Sequence, residues 1–144
     1  MDDEKASGAS AERIAVGTAD PLWRNSAYRL AIAVAESAWQ DSIVLDRNRL
    51  TRALADQLYR AACSIGANLT DGYGRTSGKD RVRFWEYSLS SARECHFWYQ
   101  RARHVLPAEN VARQTNLLNQ ICALLLTMIP RERKRILGET NTNH

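Results

Sequence analysis

The sequence predicts an all-α protein, an up-down-up-down antiparallel four-helix bundle. In four separate segments apolar residues recur at alternating spacings of three and four, the period of a helix that buries one face. Only 3 prolines and 7 glycines occur in 144 residues, which leaves room for long helices. The breaks between the segments are short, so each helix becomes the antiparallel neighbour of the next. One domain with a core of its own fits this length.

Taken in order, residues 1–20 are small, polar and acidic, and read as a disordered tail. The bundle domain follows over 21–130, and residues 131–144 read as a basic, flexible tail. Asp20 and Pro21 suit an N-cap and a first helical position. They open a helix over 21–40 with Trp23, Ala27, Leu30 and Val34 on one stripe. Residues 41–48, with Ile43, Val44 and Leu45 among charged neighbours, read as a connector under the bundle end.

The second helix is expected over 49–70, with Leu54, Leu58, Ala61, Ile65, Asn68 and then Gly72 on its seam. Asn68 stands where an apolar residue is expected, and Gln57, Ser64 and Asp71 repeat every seven residues beside it. Arg60, spaced four from Asp56, suits a solvated face. A third helix is expected over 77–104. Its seam is Phe84, Ser88, Ser91, Cys95, Trp98, Ala102 and Val105, with Glu94 on the flank. If the second and third helices form a hairpin, these polar files meet. A buried hydrogen-bond network that sets register is then the structural reading, and a binding or catalytic role the functional one.

The fourth helix is expected over 107–129 with two apolar faces. Val111, Thr115, Leu118, Cys122, Leu125 and Ile129 form the first, and Leu117, Ile121, Leu124 and Met128 the second. Exposing the second would forfeit about 1.5–3 kcal/mol per side chain, which points to an oligomer interface. Pro130 marks the expected end of regular helix, and Arg131, Arg133, Lys134 and Arg135 then make a mobile basic tip.

Charge separates along the chain. Residues 1–20 carry five acids against two bases, whereas the remaining 124 hold 18 bases and 11 acids, a net of +7. Seventeen of the 20 cations are arginine, the side chain suited to phosphate forks and aromatic faces. Phe97, with Arg93 a turn before and Arg101 a turn after, faces away from the third seam. Such a ring stacks a base or packs against another subunit. Arg75 and Lys79 sit in a glycine-rich turn, but the glycine spacing and the preceding helix exclude a P-loop. An anion at the following helix N-terminus remains an option.

The three cysteines are odd in number and far apart, as for reduced thiols in the cytoplasm. No signal peptide and no membrane-spanning apolar run is read. His96 and His104 lack further ligands at metal-site spacing. No acid–base pair or nucleophile–histidine arrangement stands out, so the expectation is no enzyme, no cofactor and no small-molecule substrate.

Gln57, Arg60, Ala61, Ser64, Ile65, Asn68, Asp71 and Gly72, followed by Phe84, Ser91 and Glu94, resemble the motifs of a bacterial four-helix bundle family. It includes proteins encoded in intervening sequences of large-subunit ribosomal RNA genes, and the accessory variability determinants of diversity-generating retroelements. The family pattern has Glu where Asp71 stands, Leu where Trp85 stands and Gly where Ser90 stands. The resemblance spans about residues 22–130. It implies a barrel-like homopentamer with a basic, nucleic-acid-binding surface, and a non-catalytic partner of a reverse transcriptase and its RNA. The alternative is a structural or protein-binding homo-oligomer whose charge serves only solubility.

Overall fold

In the computed structural model, which describes residues 20–142, a 3-10 turn (Pro21–Arg24) precedes four helices. These are α1 (Ser26–Asp46), α2 (Arg52–Tyr73), α3 (Gly78–Ala102) and α4 (Ala108–Thr142). No strand occurs among the described residues. The tail read over 1–20 lies outside them except for Asp20.

Each helix packs on the next, and α4 closes back on α1. Facing pairs give the direction. Between α1 and α2, Ala31 stands against Gly66 and the Ser42 hydroxyl reaches the Ala55 carbonyl at 3.4 Å. Between α2 and α3, Gly72 lies against Phe84 and Ser88 donates to the Ile65 carbonyl at 2.9 Å. Arg81 pairs with Glu132, and Tyr99 with Gln114, across α3 and α4. Across α1 and α4, Gln114 reaches the Val34 carbonyl and Asn110 reaches Asp41. In every pair the numbers rise on one helix as they fall on its neighbour, so adjacent helices run antiparallel.

The start of the chain departs from the expected helix over 21–40. Asp20 caps only the 3-10 turn, accepting from the Leu22 amide at 2.9 Å. The true N-cap of α1 is Asn25, whose side chain accepts from the Tyr28 amide at 3.1 Å. The stretch read as a connector over 41–48 is helical to Asp46, because the buried row Ala27, Ala31, Val34, Ala38, Asp41 and Leu45 continues through it.

The other end departs further. The expected flexible tail is the last third of α4, which runs through Pro130 to Thr142. An interior proline removes a hydrogen bond and costs about 3 kcal/mol. Here Pro130 and Leu126 both lie on the solvent side, where water can serve the carbonyl that loses its donor. Beyond it the helix is clamped to α3. Glu132 bonds Arg81, Arg133 pairs with Glu86, and Ile136 packs toward the core.

The core is apolar and small-grained. Ala27, Ala31, Ala38, Ala55, Ala61, Ala62, Ala92 and Ala102 let the helices approach closely, and Leu58, Ile65, Leu69, Leu118, Ile121 and Leu125 fill the centre. Most of each expected seam is buried, Leu58, Ala61 and Ile65 on α2, Ser88, Cys95 and Ala102 on α3, and Val111, Leu118 and Leu125 on α4, but at one position per helix a neighbour takes the place. Leu69 rather than Asn68, Tyr99 rather than Trp98, and Gln114 rather than Thr115 is fully buried.

Candidate nucleic-acid interface

α3 carries two arginine–aromatic groups, one near each end and on different sides of the helix. Toward its C-terminal end Phe97 is 54% exposed, with the Arg101 guanidinium 5.8 Å from its ring centre and Trp98 edge-on at 5.1 Å. The Trp98 indole donates to Glu94 at 3.2 Å. Arg93 is exposed on the same helix. Near the N-terminal end Phe84 is half-buried, with Arg75 4.7 Å and Arg83 5.4 Å from its ring centre. Gly72 allows this arrangement, since a Cβ there would stand 3.1 Å from both Phe84 and Trp85.

Where α3 begins, the sequence-predicted cations separate into two groups. Lys79, Arg131 and Lys134 are exposed and make no ion pair among the described residues. Arg133 is committed to Glu86, and Arg135 to Glu132 and Glu139. The expected mobile tip is thus an ordered helix with half of its cations already paired.

Glu132 also settles what occupies the α3 N-terminus. Its carboxylate lies over Gly78, where an added Cβ would come within 2.7 Å of Oε1. Ser77 caps the helix, and a carboxylate beside that end is favoured by the helix dipole. Hydrogen bonds from Arg135 and then Arg81 hold the Glu132 carboxyl down at about 2, against the cost of its burial. An intramolecular anion therefore sits where a bound one was an option. Arg81 completes the clamp by donating to the carbonyls of Arg75 and Thr76 at 2.8 and 3.2 Å.

Of the predicted polar network, three members meet. Ser64 and Ser91 share a hydrogen bond of 2.8 Å between α2 and α3, and Asn68 donates to the Ser64 carbonyl and hydroxyl at 2.9 and 3.0 Å. All three are half-buried. Gln57, Arg60, Asp71 and Glu94 do not join them. Each is exposed, Arg60 pairing with Asp56 and Glu94 with Trp98. The expectation of a network spanning all seven fails because these four flanking positions lie far enough from the buried row to reach solvent.

A separate, buried network lies toward the opposite end, among residues outside the two polar files. Tyr99 donates to Asp41 Oδ2 at 2.7 Å, Asn110 to Oδ1 at 3.1 Å, and Gln114 Nε2 to both the Tyr99 oxygen and the Val34 carbonyl at 2.9 Å. Burial, then the hydrogen bond to Asp41, pushes the Tyr99 phenol well above its ordinary range. The available signal was heptad position, since Asp41, Tyr99 and Gln114 each continue a buried row. Burial likewise raises the thiols of Cys95 and Cys122, away from the reactive thiolate.

The second stripe of α4 divides between the core and its edge. Ile121 is fully buried within the protomer, and Leu117, Leu124 and Met128 are partly buried against the same core. Seated between α1 and α3, the 35-residue helix buries most of the first stripe and leaves Leu117, Leu124 and Met128 partly accessible, with Leu126 and Leu137 its exposed leucines.

The fold and these surfaces define an all-α, four-helix protein. Among the described residues, no group of three or more His, Cys, Asp or Glu can hold a metal ion, and no helix is long and apolar enough to cross a membrane. The family model described as 23S rRNA-intervening sequence protein matches residues 24–127. The chain belongs to this family. A solved protein with unknown function from the S23 ribosomal protein family of Bacteroides thetaiotaomicron VPI-5482, determined at 1.70 Å resolution, has a similar fold. It aligns with a TM-score of 0.66 and 21% identity, over 72% of this chain and 97% of that chain. Comparison with curated proteins gives no match. The end of α4 lies beyond the residues that the family model matches.

Proposed function

We propose that this protein is a non-catalytic, self-associating, nucleic-acid-binding accessory protein that works in the cytoplasm beside a nucleic-acid enzyme such as a reverse transcriptase. The observation that carries the reading is the pair of arginine–aromatic groups on α3, Arg75 and Arg83 at Phe84 and Arg101 at Phe97. Arginine beside an accessible ring offers a phosphate contact and a stacking face together. Lys79 at the start of α3, and Arg131 and Lys134 on the solvent side of α4, add exposed cations. Membership of an rRNA-intervening sequence family agrees with a setting among nucleic acids, and the proposed assembly is the homopentamer that the motif resemblance implies.

A second reading is a structural or protein-binding homo-oligomer without a nucleic-acid role. Exposed Tyr73, Tyr87, Phe97, Leu126 and Leu137 favour it, since such rings and leucines also suit a protein partner. Light scattering with and without a short structured RNA separates the two. The first reading expects a mass near five protomers that rises with RNA, and binding that weakens roughly 10³-fold or more between 50 and 200 mM salt for six phosphate contacts. A pentamer indifferent to RNA would select the second reading, and a monomer would remove the assembly from both.

A further inference from the structure

We infer that the groove between α1 and α2 is a binding site for an unpaired nucleobase, with arginines at its mouth taking the adjoining phosphates. The inference rests on the nucleic-acid reading above and deepens it, because it names single-stranded nucleic acid as the ligand and a face of the bundle away from α3.

Near the middle of the two helices, Ala31 and Gly66 face one another closely. Toward the α1–α2 turn the space opens into a groove of about 380 Å³, lined by Trp39 and Ile43 from α1, Ala55 and Tyr59 from α2, and the charged side chains of Asp46, Asp56, Arg47 and Arg52. The size suits one base, and Ala55 leaves the floor open where a longer side chain would fill it. Trp39 is 53% exposed, yet its ring is held edge-on by Tyr59, with centroids 5.4 Å apart and planes at 64°. The indole therefore offers a face to solvent at a fixed angle. That arrangement gives the core little and gives an incoming flat ring a prepared surface.

Within the lining Asp46 and Asp56 balance Arg47 and Arg52, and Arg60, paired with Asp56 from beside the groove, leaves one cation in excess for a phosphate. Arg52 Nε binds the Asp46 carbonyl at 3.2 Å and lies 3.8 Å from its carboxylate, so its terminal nitrogens make no other hydrogen bond. Arg60 Nε engages Asp56 at 3.3 Å in the same way. Each acid is thus matched by an arginine that keeps its outer fork available, and Arg47 adds an exposed cation with no ion pair among the described residues. A paired base inside a duplex cannot present its face to Trp39, so the groove selects single strands.

The test measures fluorescence anisotropy of the full chain with a labelled ten-nucleotide oligouridylate and with a blunt RNA duplex. Trp39→Ala is expected to weaken oligouridylate binding about tenfold or more, and Trp39→Phe to restore most of it, with duplex affinity unchanged in both. Arg52→Gln, a surface change that leaves the fold intact, should reduce the salt slope for the oligonucleotide by about one. Unchanged oligouridylate affinity in both Trp39→Ala and Arg52→Gln would overturn the groove while leaving the α3 reading standing. So would an equal loss on single strand and duplex, or a change only in assembly mass, which would mark a contact between copies. Failure of the parent chain to bind either nucleic acid would overturn the nucleic-acid reading itself.

Discussion

Tyr99 shows how much one polar atom can carry inside this bundle. Its hydroxyl donates to the Asp41 carboxylate and accepts from Gln114, whose other donor bond ends on the Val34 carbonyl. Tyr99→Phe keeps the ring but strips a buried carboxylate of one donor and the amide of one acceptor. We expect a loss of about 1–3 kcal/mol in urea denaturation with an unchanged m-value. A variant within about 0.5 kcal/mol of the parent, the range of an ordinary surface substitution, would show that the network contributes little. Glu132 gives a different single-residue test. Its folded pKa lies near 2, below the ordinary 4.5, so its contribution is present above 4.5 and is lost as pH falls toward 2. Comparing parent and Glu132→Gln across that window should show an extra acid loss of about 1–2 kcal/mol in the parent, discounted for nearby solvent. Parallel stability curves for the two proteins would contradict it.

At the scale of elements, the end of α4 depends on the absence of one side chain on α3. A Cβ at Gly78 would meet Glu132 Oε1 at 2.7 Å and Ile136 Cγ1 at 2.9 Å. The carboxylate can swing away, but Ile136 belongs to the packed edge, so the helix must shift. Gly78→Ala is therefore expected to loosen residues 130–142, destabilise the protein by about 1–2 kcal/mol and speed tryptic cleavage among Arg131, Arg133, Lys134 and Arg135. Gly138→Ala is the matched control. Nothing lies within 4 Å of its added Cβ, and alanine should strengthen an exposed helix by about 0.5–1 kcal/mol. Equal cleavage of Gly78→Ala and parent would mean that the clamp does not depend on this close approach.

At the scale of the whole molecule, both turn-bearing ends are rich in cations. Arg47, Arg49, Arg103 and Arg113 stand around the end that holds the buried Asp41, and Lys79, Arg131 and Lys134 around the end where α4 clamps α3. Cations spread over two ends and one outer face allow a strand to be followed along the surface rather than held at one point. That distribution is why salt dependence, and not a single knockout, is the sensitive measurement for the proposed function.

The period of apolar residues, the short breaks and the Gln57–Glu94 motif were enough to specify helix number, order and family, because each is written locally along the chain. The exposure of Phe97 was legible in the same way, from its position opposite a seam. Register was not. A shift of about 100° moves the buried row by one residue, and neither Asn68 versus Leu69 nor Thr115 versus Gln114 can be decided until a neighbouring helix is in place. The same holds for α4. Pro130 is a local stop signal, overridden only because Arg81, Glu86 and the bare backbone at Gly78 lie across from it. The groove at Trp39 likewise depends on residues from two helices. Local periodicity determined what the elements are, and contacts between residues distant in sequence decided which faces are buried and which remain available for binding.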